Sequence, residues 1–295
     1  RGTIMIIKAY PRTHYEEFKK YGYRIMLFER LITHLTDYHY HDYYELSIVL
    51  SCKNVVYLCN DTEYQIKEGD IVFSNVFEPH CYREVGTDAY CERFNLGIEF
   101  TRLMQFSTKG INLSSMFQQC NASYPIIRLP FKSMVKYYEL IDVYKKKELK
   151  YSSELVQRGL VQLFLAYIYE DARPYIEVDT KNSESVQTVT VIIEYIQKHL
   201  SENITLAELA KEANYSISYI CSAFRSVMNK TINNYIKEKR LDLAVQYLKA
   251  DIPITEAAEQ AGFNNYSYFY KTFKSVYGIS PVEYRNRTLQ ENDER

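Results

Sequence analysis

The sequence predicts two domains of different class: an all-β N-terminal half followed by a helical hairpin, and an all-α C-terminal half. Three observations carry this. Over the first hundred residues, short β-branched or aromatic runs alternate with turn signals. From about residue 131, apolar residues recur at helical spacing. The last hundred residues then hold one helix–turn–helix pattern twice. At 295 residues the chain is long enough to build two separate cores.

The strand candidates come first. "YYELSIVL" (43–50), "VVYLCN" (55–60), "EYQIKEG" (63–69), "IVFS" (71–74) and "RFNLGIEF" (93–100) are separated by turns such as Asn60-Asp61 and Gly69-Asp70. Several short strands at close intervals argue for a sandwich or a small barrel. Phe131, Val135 and Tyr138 next follow helical spacing, as do Val156, Leu160, Leu163, Phe164 and Tyr167. Two helices joined near "KKKELKYSS" are expected. The polar stretch "EDARPYIEVDTKNSESVQ" carries Pro174 and no periodicity, so it reads as an interdomain linker. The boundaries are then 1–130 for the β domain, 131–172 for the hairpin, 173–185 for the linker, 186–287 for the helical domain and 288–295 for a polar tail.

The repeat is visible on comparing 205–235 with 254–284. Glu208, Ala210 and Ala213 match Glu256, Ala258 and Ala261 at one offset. Ser218, Phe224, Ser226, Val227 and Tyr235 match Ser267, Phe273, Ser275, Val276 and Tyr284 with one residue more in the turn. In the first copy Ile217, Ile220, Phe224 and Val227 form an inner stripe, leaving Ser218, Cys221, Ser222 and Arg225 outside. In the second, Phe269, Phe273 and Val276 face inward, with Ser267, Tyr270, Lys271 and Lys274 outside. Gly262 suits the tight turn, Asn264 is expected to cap the following helix, and Gly278 with Pro281 ends it. Short polar residues with a cation or two suit a helix lying in a major groove, although they also coat ordinary solvated faces. Between the copies, "TINNYIKEKRLDLAVQYLKA" reads as one helix capped at Thr231. It spans roughly 27–29 Å at about 1.5 Å per residue, a little short of the ~34–36 Å of one DNA turn.

At these residues the sequence resembles the DNA-binding domain of the AraC/XylS family of bacterial transcription regulators. "AGF…YFYKTFK…YGISPVEYR" carries the resemblance most specifically, and the match runs from 186 to 287. It implies two helix–turn–helix units on a linker helix, with double-stranded DNA contacted by the two second helices. Carried across by position, the reading face is Ser218, Cys221, Ser222 and Arg225 in the first unit. In the second it is Tyr266, Ser267, Tyr270 and Lys271, with Lys274 placed for phosphate. Arg240 matches a family arginine that is either structural or DNA-facing. Asn229 stands where members often carry Gly, and Asn tolerates a left-handed backbone.

The N-terminal half holds "HYHDYYE" (39–45), and if it is one strand His39, His41 and Glu45 share a face. Gly69, Pro79 and His80 follow. This pattern resembles the two motifs of cupin barrels, in whose enzymes those four side chains bind metal, and the family often carries such a sensor domain. The expected fold is therefore a cupin-like barrel with a helical hairpin, joined to a double helix–turn–helix. Ser51-Cys52, Asn75, Phe77 and Glu84 depart from the usual cupin residues. Three readings stay open for His39, His41, Glu45 and His80: a divalent metal site, the polar lining of a pocket, or a structural hydrogen-bond cluster. No other cofactor is expected. Arg24, His41, Glu45, Tyr57, His80 and Tyr82 are the expected pocket liners for a small-molecule effector, a sugar being one candidate because aromatic faces stack on sugars.

Composition excludes little else. The net charge of −1 gives no global signal for nucleic acid, and residues 186–287 hold 12 Lys/Arg against 10 Asp/Glu, a balance of +2. No apolar run approaches the ~18 residues of a membrane span, and no secretory leader is recognised. The six cysteines show no Cys-x-x-Cys pair, in keeping with a reduced, cytoplasmic setting. The resulting expectation is a homodimeric, effector-controlled transcription regulator that contacts RNA polymerase and is not an enzyme. A metal-dependent cupin enzyme with accessory helices is the rival.

Overall fold

A computed structural model describes residues 8–9, 16–28, 38–108, 110–117, 124–146, 153–176 and 180–293, which fall into two compact units divided at Asp179/Thr180. In the first unit the strands are β1 (Lys8–Ala9), β2 (Tyr23–Phe28), β3 (His39–Tyr40), β4 (Tyr44–Lys53), β5 (Val55–Cys59), β6 (Thr62–Gln65), β7 (Asp70–Ser74), β8 (His80–Glu84), β9 (Tyr90–Ile98) and β10 (Ile126–Arg128). Its helices are α1 (Glu16–Tyr21), α2 (Phe100–Phe106), α3 (Phe131–Lys146) and α4 (Ser153–Ala172).

The strands form two five-stranded sheets, ordered β1-β3-β8-β5-β6 and β10-β7-β4-β9-β2. All described pairings are antiparallel except β1 with β3. Val49, Val72 and Cys91 from one sheet pack with Val55, Tyr57, Cys59 and Tyr82 from the other. The expected closed barrel is thus an open sandwich among the described residues. β1, β3 and β10 are only two or three residues long, too short to carry a ladder around the edges.

The outer face of the second sheet is covered by the hairpin α3–α4. Phe94 stacks on Phe164 with ring centroids 4.5 Å apart, and the Tyr137 hydroxyl donates to Asp171 at 2.6 Å. The stripe that goes inward on α3 is Met134, Tyr137 and Ile141. Phe131, Val135 and Tyr138, whose spacing marked the helix, lie on another side, with Phe131 72% and Val135 44% exposed. Both stripes are apolar at helical spacing, so periodicity alone cannot choose between them. The expected connection within "KKKELKYSS" lies largely outside the described residues.

The second unit is helical throughout: α5 (Thr180–Lys198), α6 (Leu206–Ala213), α7 (Ile217–Met228), α8 (Ile232–Lys249), α9 (Ile254–Gln260), α10 (Tyr266–Tyr277) and α11 (Pro281–Asp293). α5 begins inside the stretch read as linker, and beyond that stretch Val186, Val189, Ile192, Ile193 and Ile196 supply its buried stripe. α11 runs into the expected polar tail.

Local chemistry explains the helix ends. Thr205 and Glu208 close a capping box on α6, and Asn214 ends it at φ 58°. Ser216, Thr231 and Asn265 cap α7, α8 and α10, each side chain accepting from a backbone N–H three residues on. The α10 cap is therefore Asn265, not the expected Asn264. Asn229 ends α7 at φ 52°, as its tolerance of that region suggested.

The repeat recurs in packing. Phe224 meets Tyr235 edge-on at 5.4 Å, and Phe273 meets Tyr284 in the same way at 5.5 Å. Ile220, Phe224 and Val227 are buried, whereas Ile217, assigned to the inner stripe, is 45% exposed because it occupies the first helical position of α7.

Candidate functional site

The outward faces of α7 and α10 follow from the same arithmetic that buries their inner ones. Phe224 and Phe273 are fully buried, so positions a third of a turn or more away are turned to solvent. Ser218, Ser222 and Arg225 are exposed and Cys221 is partly so. In α10, Tyr266, Ser267, Lys271 and Lys274 are exposed and Tyr270 partly so. All nine residues singled out for DNA therefore lie on solvent-facing positions of two equivalent helices. Among the described residues, none of Arg225, Lys271 and Lys274 is engaged in an ion pair. By contrast Lys230 pairs with Glu238, Lys239 with Asp242 and Arg285 with Asp251. These three unpaired cations are available to phosphate or base edges.

Arg240 belongs to the scaffold. Its Nε donates to the Leu200 carbonyl at 2.9 Å and its Nη2 to the Glu202 carbonyl at 2.5 Å. Ser201 donates to the Gln260 carbonyl at 2.8 Å. The loop between α5 and α6 is thereby fastened to the turn between α9 and α10. α8, at 18 residues, is about 27 Å long.

In the β unit the histidines gather, but not by the expected route. "HYHDYYE" is not one strand: β3 ends at Tyr40 and β4 begins at Tyr44. His39 instead pairs across strands with His80, and His41 lies in the connection beyond β3. The ring centroids of His39 and His41 lie 4.6 and 4.8 Å from that of His80. One ligand-capable atom from each of the three lies within 4.8 Å of the others.

Two tautomers are fixed by backbone. His41 Nδ1 donates to the Tyr43 carbonyl and His80 Nδ1 to the Glu78 carbonyl, both at 2.8 Å. Both Nε2 atoms are buried without a hydrogen-bond partner. Burial holds His41 well below the ordinary imidazole range and pushes His80 down to about 4, so both rings are neutral lone-pair donors at neutral pH.

Glu45 enters from β4, with its Oε2 3.8 Å from His41 Nε2. Asn95 Nδ2 donates to Glu45 Oε1 at 3.0 Å, and burial raises the carboxyl above its usual range. Tyr57 shares a 2.7 Å hydrogen bond with Ser74, and its ring lies 5.9 Å from His80 and 5.2 Å from Tyr82. Arg24 occupies the same sheet face as Glu45, both in register with Gly97, and its guanidinium stands 4.0 Å from Glu17. His41 and His80, each held by a carbonyl behind and with an unpartnered Nε2 in front, make with His39 a three-imidazole set that fits a divalent ion of the zinc or iron kind.

Sequence reasoning missed Arg93. It lies on β9 in register with Val49 and Phe28, 2% exposed, with its guanidinium 4.2 Å from the Phe28 ring and 4.1 Å from the Tyr82 ring. The signal was present: Arg93 and Asn95 are two apart in "RFNLGIEF", on one face of a strand that is otherwise apolar.

Two family models match the chain, an AraC-like ligand binding domain over residues 21–124 and a helix-turn-helix domain over 209–287. The probable transcriptional regulator LumQ of Photobacterium leiognathi is 36% identical over 108 residues, 36% of this chain and 43% of that protein. The regulatory protein SoxS of Salmonella typhimurium is 30% identical over 102 residues, 34% of this chain and 95% of that protein. The HTH-type transcriptional activator RhaR of Pectobacterium carotovorum is 23% identical over 273 residues, 90% of this chain and 91% of that protein. The structure of ToxT from Vibrio cholerae, solved with an unsaturated fatty acid bound, shares the fold at a TM-score of 0.50 and 14% identity, covering 89% of this chain and 91% of that one. With its DNA-binding half, its ligand-binding half and a relative such as SoxS all in agreement, the chain belongs to the AraC/XylS family of bacterial transcription regulators.

Proposed function

We propose that this regulator binds a specific operator through both helix–turn–helix units, α7 and α10 each entering a major groove. The observation that carries the reading is the exposed, unpaired set Arg225, Lys271 and Lys274 on equivalent faces of duplicated units. Ser218, Cys221, Ser222, Tyr266, Ser267 and Tyr270 complete the two faces. The first unit, with one cation and two hydroxyls, gives less direct base readout than the second. Selection of bound sequences from a random DNA pool, by the full chain at physiological salt with and without candidate metabolites, tests this. A single recovered consensus supports the reading, and an unenriched pool opposes it.

A small-molecule effector, in this reading, occupies the interior of the β sandwich. His41, Glu45, Tyr57, His80 and Tyr82, with Arg24 on the same sheet face as Glu45, converge there from both sheets. Effector binding alters how the DNA-binding units are presented to the operator, and with it contact with RNA polymerase. The sugar expectation rests on the ring faces of Tyr57 and Tyr82. A homodimer forms through the hairpin, where Phe131, Val135, Val143, Leu155 and Leu163 are exposed on α3 and α4. The protein works in the cytoplasm and catalyses no reaction. No helix among the described residues is long and apolar enough to cross a membrane.

The second reading, a divalent ion on His39, His41 and His80, is favoured by the two unpartnered Nε2 atoms. Such an ion would supply Lewis acidity or a structural link between the sheets. Elemental analysis of the purified chain, before and after chelation, separates it from simple pocket lining.

A further inference from the structure

The interior of the β sandwich holds a buried cation that the reading above does not use. Arg93 is 2% exposed, and among the described residues no carboxylate lies within ion-pair distance of it. Its Nε is buried without a hydrogen-bond partner. The rings of Phe28 and Tyr82 both lie close to the guanidinium, at 4.2 and 4.1 Å, and neither can accept a hydrogen bond in its plane. The nearest acid on the same sheet face, Glu45, feels the Arg93 charge, which favours its ionised form, but makes no ion pair with it. It accepts from Asn95 at 3.0 Å and stands beside His41. A guanidinium cannot shed its proton to escape burial, so one left without a direct ion-pair partner disfavours the folded state.

The neighbours of Arg93 are incomplete in the opposite sense. Asn95 Oδ1, His41 Nε2 and His80 Nε2 are buried acceptors with no donor. Asn95 shares a strand face with Arg93. His80 lies near enough that the Arg93 charge disfavours its protonation. The interior thus offers donors that need an anion and acceptors that need hydroxyl or amine hydrogens.

We infer that the effector is a small hydroxycarboxylic acid, its carboxylate received by Arg93 and its hydroxyl groups by Asn95 and His80. The inference rests on the effector reading and narrows it: among sugars it selects the acids over the neutral hexoses. One carboxylate matches one guanidinium, and a dianion would crowd Glu45.

The test uses the full chain with gluconate, glucuronate and C4–C10 2-hydroxy acids, each beside its primary amide, and with neutral hexoses. Thermal shift and operator affinity are read together. At least one acid is expected to act, its amide to fail, and Arg93→Met to respond about 10- to 100-fold more weakly. Methionine keeps an unbranched chain between the Phe28 and Tyr82 rings and removes the charge. Unliganded Arg93→Met is therefore expected to melt at or above the unsubstituted chain, a readout that needs no ligand. A lower melting point restored by Arg93→Lys would make Arg93 a structural cation and overturn the inference. So would an acid response unchanged in Arg93→Met, a neutral hexose acting equally on both chains, or a panel in which no acid acts although the operator is bound. Those outcomes leave the regulator reading intact, whereas failure of the unsubstituted chain to bind any operator would strike that reading instead.

Discussion

Arg240 grips the carbonyl of Leu200 from the side of the linker helix, at 2.9 Å, and so ties the first helix–turn–helix unit to the rod that carries the second. The contact is close enough to dictate a glycine. A Cβ on Gly262 would stand 2.8 Å from both Arg240 Nε and the Leu200 carbonyl oxygen, and Gly262 has φ +90°. Gly262→Ala is expected to lose about 1–3 kcal/mol from backbone strain alone. Arg240→Ala should lose a similar amount, about 1.5–3 kcal/mol, through two charge-assisted hydrogen bonds. Denaturant unfolding monitored on the helical unit checks both. Operator binding should weaken more than stability in Arg240→Ala, because the relative placement of α7 and α10 loosens.

The two aromatic pairs predict equal treatment of the repeats. Phe224 and Phe273 are each fully buried, against Tyr235 and Tyr284 respectively. Either Phe→Ala change is expected to cost about 3–5 kcal/mol, measured by urea unfolding. A cost confined to one repeat would mean that the sequence repeat is not an energetic one.

Lys271 and Lys274 should part company at the operator. Lys271→Ala is expected to lose about 1–3 kcal/mol of specific binding and to relax sequence preference, as for a base contact. Lys274→Ala should weaken all sequences alike and reduce the salt slope by about 1. Titrations against operator and scrambled duplexes at several salt concentrations separate the two roles. Unchanged affinity and preference in Lys271→Ala would remove it from the reading face.

The hairpin predicts an assembly. Phe131 and Leu155, near the starts of α3 and α4, are both 72% exposed. Phe131→Glu with Leu155→Glu is expected to leave the fold unchanged by circular dichroism and to convert a dimer to a monomer in sedimentation. A dimer that survives the pair of charges places the interface elsewhere.

Much of this was legible in residues. The repeat, the cap at Thr231, the left-handed Asn229 and the outward set from Ser218 to Lys274 follow from spacing and propensity, because each is a local decision. At helix starts, where periodicity has not yet set in, the α10 cap was misplaced by one position and Ile217 was assigned inward although it lies exposed in the first helical position. On α3 two apolar stripes competed, and only the sheet underneath chose Met134, Tyr137 and Ile141. β8 and the open sandwich were hidden because "HCYRE" alternates weakly and closure depends on strands two or three residues long. Arg93 was passed over for a different reason. It opens the strand candidate "RFNLGIEF", which was read for its strand character alone, whereas burial of Arg93 with Asn95 marks the inward face.

Footprinting of the full chain on its selected operator tests the central claim most directly. Two protected major-groove segments are expected on one face of the duplex, their centres about 10–10.5 base pairs apart, with Arg225→Ala exposing one and Lys271→Ala the other. A single protected segment, or two substitutions that expose the same bases, would contradict the account.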